Sequence, residues 1–312
     1  MTNQEKYKNF CEGKNIPLFM QAWWLDITCE QKWDVTIIEK NKEVIAAWPY
    51  LLGKRSIFSS IGIPPLSKYS GPLIQYPEGQ KLVSKIAFEK EILSELEAQL
   101  PNADYINLNL EPAFQNWIAL SWKGYKSNSN CTYRIKDTSD LDNCFNGFKE
   151  SVRRAIRKAQ KSYTIEEGKD VDQLYQLNES IFSNQGMAVP FSKPLLSALV
   201  KSTLERSCSK TFFAKDENGQ IVASIFLVWD NNHVYYLLVG LVPEHKSSGV
   251  ASLLMWYGIQ FANSLNLAFD FEGSMIQSIE KYIQSFGGEQ IYYQSLEKYN
   301  SKVLQILDLI RS

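Results

Sequence analysis

Two histidines, His233 and His245, are all the imidazole this chain offers. Neither has the companions that a Ser/His/Asp triad or a His-based metal site requires. The five cysteines, Cys11, Cys29, Cys131, Cys144 and Cys208, are scattered with no CxxC spacing, which removes a zinc ribbon and a disulfide framework. No stretch approaches the roughly 18 apolar residues of a membrane span, and Met1 to Asn9 carries no basic-then-apolar leader. A cytoplasmic location without a membrane span is the expectation. Charge of one sign is missing too: 33 Lys+Arg face 34 Asp+Glu, net −1, so contact with a polyanion has to be local and DNA is not an expected partner. Neither a GxxxxGK[ST] loop nor a GxGxxG after a strand occurs, so nucleotide hydrolysis and dinucleotide redox chemistry lack support. Catalysis, if present, runs on other groups and calls for no metal.

What the chain does have is length and apolar content. With 312 residues, 45% of them hydrophobic, it exceeds one typical domain and can bury two cores. Gln4 to Glu12 reads as a polar helix, followed by the aromatic-dense stretch Pro17 to Asp26 with Trp23 and Trp24. Val35 to Glu39 and Val44 to Trp48, β-branched and apolar around the turn Lys40 to Glu43, predict a hairpin. Ser56 to Pro77, rich in Gly and Pro, reads as an ordered loop with short strand pieces. Leu82, Ile86, Ile92, Leu93 and Leu96 recur at near-helical spacing over Gln80 to Leu100, which stops at Pro101. A strand over Tyr105 to Leu110, a short helix around Ala113 to Leu120 and a strand ending near Tyr133 to Ile135 follow.

The second half repeats this order. Thr211 to Lys215, the turn Asp216 to Gly219 and Ile221 to Trp229 form a hairpin, and Val234 to Val242 adds a strand. A helix from about Ser248 to Asn263, a strand over Leu267 to Phe271, a helix near Ile276 to Ser285 and a strand over Gln290 to Leu296 complete it. The matching order over roughly a hundred residues points to duplication, and the division is set at residues 1–140 and 141–312.

The sharpest local signal is the loop from Val242 to Ala251, between a buried strand and a helix. Ser247, Ser248, Gly249 and Ala251 gather small residues where the helix begins. Unsatisfied N–H groups and the positive end of the helix dipole favour an anion there, and Lys246 adds a cation. Alone, the same residues also describe a helix start capped by Ser247 or Ser248. The first half has no counterpart, its corresponding region being Ser67 to Gln80.

A basic helix is expected over 145–161. At about 100° per residue, Lys149, Arg153, Arg154, Arg157, Lys158 and Lys161 fall within one half of its surface, and Phe145, Phe148, Val152, Ile156 and Ala159 share the other. Such a face suits a phosphate-bearing substrate or a tRNA acceptor end, and equally a solvated linker.

Lys246-x-x-Gly249-x-Ala251 resembles the Arg/Gln-x-x-Gly-x-Gly/Ala acyl-CoA loop of the GNAT acyltransferases, with Lys in place of the planar donor at its first position. The resemblance extends to the Fem-like tandem-GNAT branch through Pro17 to Asp26, Val152 to Ala159, Phe269 to Ser274 and Phe286-Gly287-Gly288. It implies an α/β (α+β) fold of two tandem GNAT-like domains, each a mixed, mostly antiparallel sheet flanked by helices and joined through the basic helix. It implies an acyltransferase using acyl-CoA (acetyl-CoA) as co-substrate, with the donor at Val239, Leu241, Lys246, Ser247, Ser248, Gly249, Val250 and Ala251. The first half is then the acceptor side, and Trp23, Trp24, Tyr69, Arg153, Arg154, Arg157 and Tyr236 are the expected substrate contacts.

For acid–base work the candidates are Tyr282, Glu272 and Asp270, with Tyr235 or Tyr236 on the strand before the donor loop, the two carboxylates falling on one face of a strand by alternation. An attacking amine must lose a proton and a leaving thiolate must gain one. The oxyanion is expected against a strand-end backbone N–H at Val239 to Leu241, and the family analogy gives the acid to Tyr282. The leading expectation is an N-acyltransferase that moves an acyl group from acyl-CoA to an amine acceptor between the domains, the acceptor being a small molecule or a cell-wall precursor. The alternatives are an aminoacyl-tRNA-dependent peptidyltransferase acting on a peptidoglycan precursor and a ligand-binding module without catalysis.

Overall fold

The computed structural model describes residues 1–184 and 186–311. The chain divides into two compact units, Met1–Asn130 with Tyr292–Ser312, and Cys131–Ile291.

The first unit opens with α1 (Asn3–Cys11) and α2 (Ala22–Thr28), then β1 (Trp33–Lys40) and β2 (Glu43–Arg55). The hairpin forms as expected, and its tip puts Asn41 and Lys42 at positive φ, the turn that matches the strands' twist. β3 (Phe58–Gly62) and β4 (Leu73–Ile74) are the strand pieces of the Gly/Pro-rich loop; α3 (Leu82–Ala98), β5 (Tyr105–Asn109), α4 (Ile118–Trp122) and β6 (Lys126–Ile135) follow. β1/β2 and β2/β3 pair antiparallel, and β4 pairs β2. β3 and β5 pair parallel, which requires the crossover helix α3 between them. Ile92, Leu93 and Leu96 of α3 pack with Trp48, Ile106 and Leu108.

The second unit has α5 (Leu141–Gly147), α6 (Glu150–Ala159), β7 (Thr164–Gly168), α7 (Val171–Ser183), α8 (Lys193–Glu205), β8 (Ser209–Lys215), β9 (Ile221–Trp229), β10 (His233–Leu241), α9 (Val250–Ser264), β11 (Ala268–Asp270) and α10 (Gln277–Gln284). The chain ends with β12 (Glu289–Tyr299) and α11 (Lys302–Arg311). β7 to β10 pair antiparallel in succession, and β10 and β11 pair parallel across α9. Ile225, Leu253, Leu254, Ile259 and Phe269 form the core between α9 and the sheet.

The strands of the two units follow one plan, but each unit takes one strand from the other repeat. Ile135 and Arg134 of β6 pair antiparallel with β11, while Ser295 to Tyr299 of β12 pair antiparallel with β5. A single cut at residue 140 therefore misdescribes the chain. Residues 131–140, assigned above to the first half, belong to the second unit, and residues 292–312 return to the first.

The basic helix is also shorter than expected. Phe148 is extended and ends α5, and Lys149 is only the N-cap of α6. The break has two causes. Gly147 is a weak helix former, and the chain turns to dock, with the Lys149 N–H donating to Ser285 O at 2.8 Å. Lys161 lies in the turn after α6.

Candidate active site

β10 carries a bulge between Tyr236 and Leu238, and β11 accompanies it only from His233 to Tyr235. Beyond Tyr235 the two strands part. Into this region come Tyr236 from β10, the first turn of α9, and Tyr282 from α10. The Tyr282 hydroxyl lies 3.2 Å from Ser252 Oγ. Burial pushes the Tyr282 phenol up to about 12, and the Ser252 hydroxyl opposes the rise. Burial also raises Tyr236 well above the ordinary phenol value, with Tyr282 close enough to add to the effect. Ser252 was not among the expected residues; it sits in the third position of α9, where a hydroxyl facing inward is unusual enough to notice.

The expected donor loop is a 3₁₀ turn, Pro243–His245, followed by Lys246 to Gly249 and the start of α9. Lys246 and Ser247 are exposed, Ser248, Gly249 and Ala251 half-buried, and Val250 buried. His245 Nδ1 is 2.8 Å from the Tyr163 hydroxyl, which ties the turn to the chain after α6. Ser248 Oγ accepts from the Val250 N–H at 3.2 Å, so part of the capping chemistry is satisfied locally. Gly249 has φ +89°, and a Cβ there would lie 2.7 Å from Ala155 O. Its lack of a side chain serves close packing against α6. Gly249, one of the expected donor contacts, is packed against α6, and Lys246 and Ser247 are the exposed part of the loop.

Asp270 does not fit the role of a base. It is 0% exposed, and its oxygens accept from Arg134 Nε at 2.6 Å, Thr132 Oγ1 at 2.6 Å and the Glu272 N–H at 2.7 Å. A carboxylate held this way organises the end of β11. Nor do Asp270 and Glu272 share a strand face: β11 ends at Asp270, and Glu272 has φ +57°, so alternation no longer applies. Beside this centre, burial and the Arg134 charge lower the His233 pKa, with Asp230 and Asp270 opposing.

Two of the three aromatic residues expected to contact substrate in the first unit, Trp24 and Tyr69, are core. Trp24 is 0% and Tyr69 1% exposed. Trp24 Nε1 donates to Ser67 Oγ at 2.8 Å, and the Tyr69 ring packs edge-on against Phe19 and Tyr293. Trp23 is half-buried against Trp24. Large apolar rings are buried more readily than displayed, which gives Trp24 and Tyr69 a packing role where substrate contacts were expected. Surface cavities of about 580, 510 and 490 Å³ open on the first unit, lined by none of the expected residues.

On α6, Arg154 and Arg157 are exposed and Arg153 is half-buried. Arg157 lies over the Phe145 ring, and Arg154 is 3.6 Å from Glu150 at an exposed i,i+4 spacing, a pair worth little in stability.

The sequence reading missed β7, α7 and α8, and with them Asn178. Its signal was there: Leu174, Leu177, Asn178 and Ile181 follow i, i+3, i+4, i+7, so a polar residue occupies an apolar position.

Residues 146–275 match the family model of the acetyltransferase (GNAT) domain. No curated protein matches the chain. Solved structures similar to it include FemX, at TM-score 0.65 and 14% identity over 94% of this chain and 96% of that one. L-PGS from Bacillus licheniformis is similar at TM-score 0.57 and 14% identity, over 98% and 94%. A tandem GNAT protein from the clavulanic acid biosynthesis pathway is similar at 0.53 and 8%, over 96% and 94%. At these identities the likeness speaks for the fold. No helix among the described residues is long and apolar enough to cross a membrane.

Proposed function

We propose that this chain, an acyltransferase with a GNAT acetyltransferase domain at residues 146–275 and a Fem-like tandem fold, is an N-acyltransferase drawing its acyl group from acyl-CoA. The donor's phosphates lie against Lys246, Ser247 and the first turn of α9, where unpaired N–H groups and the helix dipole favour an anion. The acyl carbonyl is polarised by a backbone N–H at Val239 or Leu241. The acceptor's amine attacks that carbon directly. Its proton passes to Glu272 or to solvent as the new C–N bond forms, and the C–S bond breaks as the departing thiolate takes a proton from Tyr282.

The observation that carries this reading is the half-buried Tyr282, whose hydroxyl lies beside Ser252 and close to Tyr236, where β10 leaves β11. A phenol raised to about 12 stays protonated at neutral pH and can still protonate a thiolate. A calorimetric titration with acetyl-CoA tests the reading. Saturable binding that Lys246→Glu weakens several-fold supports it, and no binding to acetyl-CoA overturns it.

The exposed cations Arg154, Arg157 and Lys158 on α6 favour one second reading, an aminoacyl-tRNA donor with transfer to a cell-wall precursor, as the Fem-like resemblance implies. Phosphate contacts of that kind weaken steeply with salt. Binding of charged tRNA that falls with salt and with Arg154→Glu/Arg157→Glu, together with silence toward acetyl-CoA, selects it.

A further inference from the structure

Once β11 has left it, the outer edge of β10 is flanked by α7, two of whose side chains reach it. The Val242 N–H bonds to Val222 O of β9, so alternation turns the polar groups of Val239 and Leu241 to the opposite, outer edge. Both carbonyls on that edge are already occupied. Asn178 Nδ2 donates to Val239 O at 2.8 Å, and Ser180 Oγ donates to Leu241 O at 2.8 Å. Gly240 allows α7 this close: a Cβ on it would lie 2.4 Å from Leu177 Cβ and 2.6 Å from Ser224 Oγ.

Asn178 is 3% exposed, and its Oδ1 has no donor. The carboxamide cannot turn over to cure this, because only its NH₂ end can meet the Val239 carbonyl. Buried amide oxygens without a partner are uncommon, and this one sits beside the strand edge to which the Val239 N–H points. An extended ligand added to a strand edge usually finds alternating donors and acceptors on the backbone. Here the two backbone acceptors are capped, and the free acceptor is the side-chain oxygen of Asn178.

We infer that Asn178 is a specificity-determining residue whose Oδ1 accepts an N–H from a ligand seated on the outer edge of β10, next to the Val239 N–H. The inference rests on the acyl-transfer reading for the ligand's class. Two ligands of that reaction carry an N–H within a few bonds of a carbonyl: the amide-bearing arm of acyl-CoA, and the amino group of an aminoacyl ester.

Two calorimetric titrations of the full chain separate these sources, one with acetyl-CoA and one with an aminoacyl ester on a short RNA hairpin. Each is repeated with the N–H replaced by oxygen, as arm esters in the first and a hydroxyacyl ester in the second. The replacement should weaken one of the two probes by about tenfold, the scale of one buried hydrogen bond. In Asn178→Leu the same replacement should cost nothing, since the accepting oxygen is gone. Ser180→Ala removes a similar cap on β10 and should keep the full replacement penalty, which distinguishes ligand contact from loosening of α7. If Asn178→Leu does not fold, the replacement in the unmodified chain still decides. Binding that is indifferent to replacement in both probes overturns the inference alone; absence of binding to either probe overturns it together with the acyl-transfer reading.

Discussion

The carbonyl oxygen of Ala155 lies 2.7 Å from the point where Gly249 would carry a Cβ. The glycine of the loop is thus fixed by its neighbour α6 as much as by any ligand. Gly249→Ala should destabilise the fold by about 1–3 kcal/mol, from a side chain at positive φ and a contact with backbone that has little room to yield. Urea unfolding measures this. Gly249→Glu is a poor probe of donor binding for the same reason, whereas Lys246→Glu, at an exposed position, should leave the unfolding midpoint within error and weaken acetyl-CoA binding.

Much of the chain was readable because local chemistry and final structure agree there. Asn41 and Lys42 make the hairpin turn their position asks for, and Leu82 to Ala98 is helical on the expected apolar spacing. What was not readable depends on partners distant in sequence. The exchange of β6 and β12 is set by pairing 134 with 270 and 109 with 295, which no window along the chain contains. The break at Phe148 depends on Ser285. Asp270 looked like a candidate base because its partners Thr132 and Arg134 lie more than 130 residues away. Phe286-Gly287-Gly288 and Gly273 carried part of the resemblance, and the structure gives two of these glycines a packing role. Cβ atoms on Gly273 and Gly287 would meet the carbonyls of Cys131 and Gly147.

Asp270→Ala should act on stability before catalysis. Removing the carboxylate takes the 2.6 Å ion-pair contact from the buried Arg134 guanidinium, a loss of about 3–5 kcal/mol. Glu272→Gln, at a half-buried site, should instead lower kcat with a small change in unfolding free energy. If Asp270→Ala keeps the wild-type unfolding midpoint while abolishing turnover, the structural role given to Asp270 is wrong.

Gly240→Ala should cost more than an ordinary glycine replacement. The added methyl would meet Leu177 Cβ at 2.4 Å and the backbone of Leu177 at 2.9 Å, so α7 has to move outward. That motion breaks the reach of Asn178 to Val239. The expected result is a loss of about 2 kcal/mol or more, with faster hydrogen exchange at α7 than at α9.

Alkaline pH should unfold the chain from a defined window. Burial raises Tyr50, Tyr105 and Tyr282 to about 12, above the ordinary phenol value of about 10. The folded state then holds these protons more tightly than the unfolded state. The resulting stability is complete below about pH 10 and is lost as pH rises toward 12. Burial raises the Cys29 and Cys208 thiols too, to about 12 and about 11, so unfolding free energies should begin to fall above about pH 9 and fall more steeply beyond about pH 10.

Tyr282→Phe separates acid catalysis from packing. The ring stays against Phe286, and only the hydroxyl at Ser252 is lost, so stability should change by about 1 kcal/mol. If Tyr282 protonates the leaving group, kcat should fall by about a hundredfold or more. The unmodified enzyme should show no decline in kcat from this group up to about pH 10, since the phenol is still protonated there. A fall in kcat on the alkaline side centred below 9 would have to come from another residue. The variant should also lose less activity with donors whose leaving group is a better one, because a stable thiolate needs the proton less. Equal losses across leaving groups of different basicity would assign Tyr282 to the core and take the proton transfer away from it.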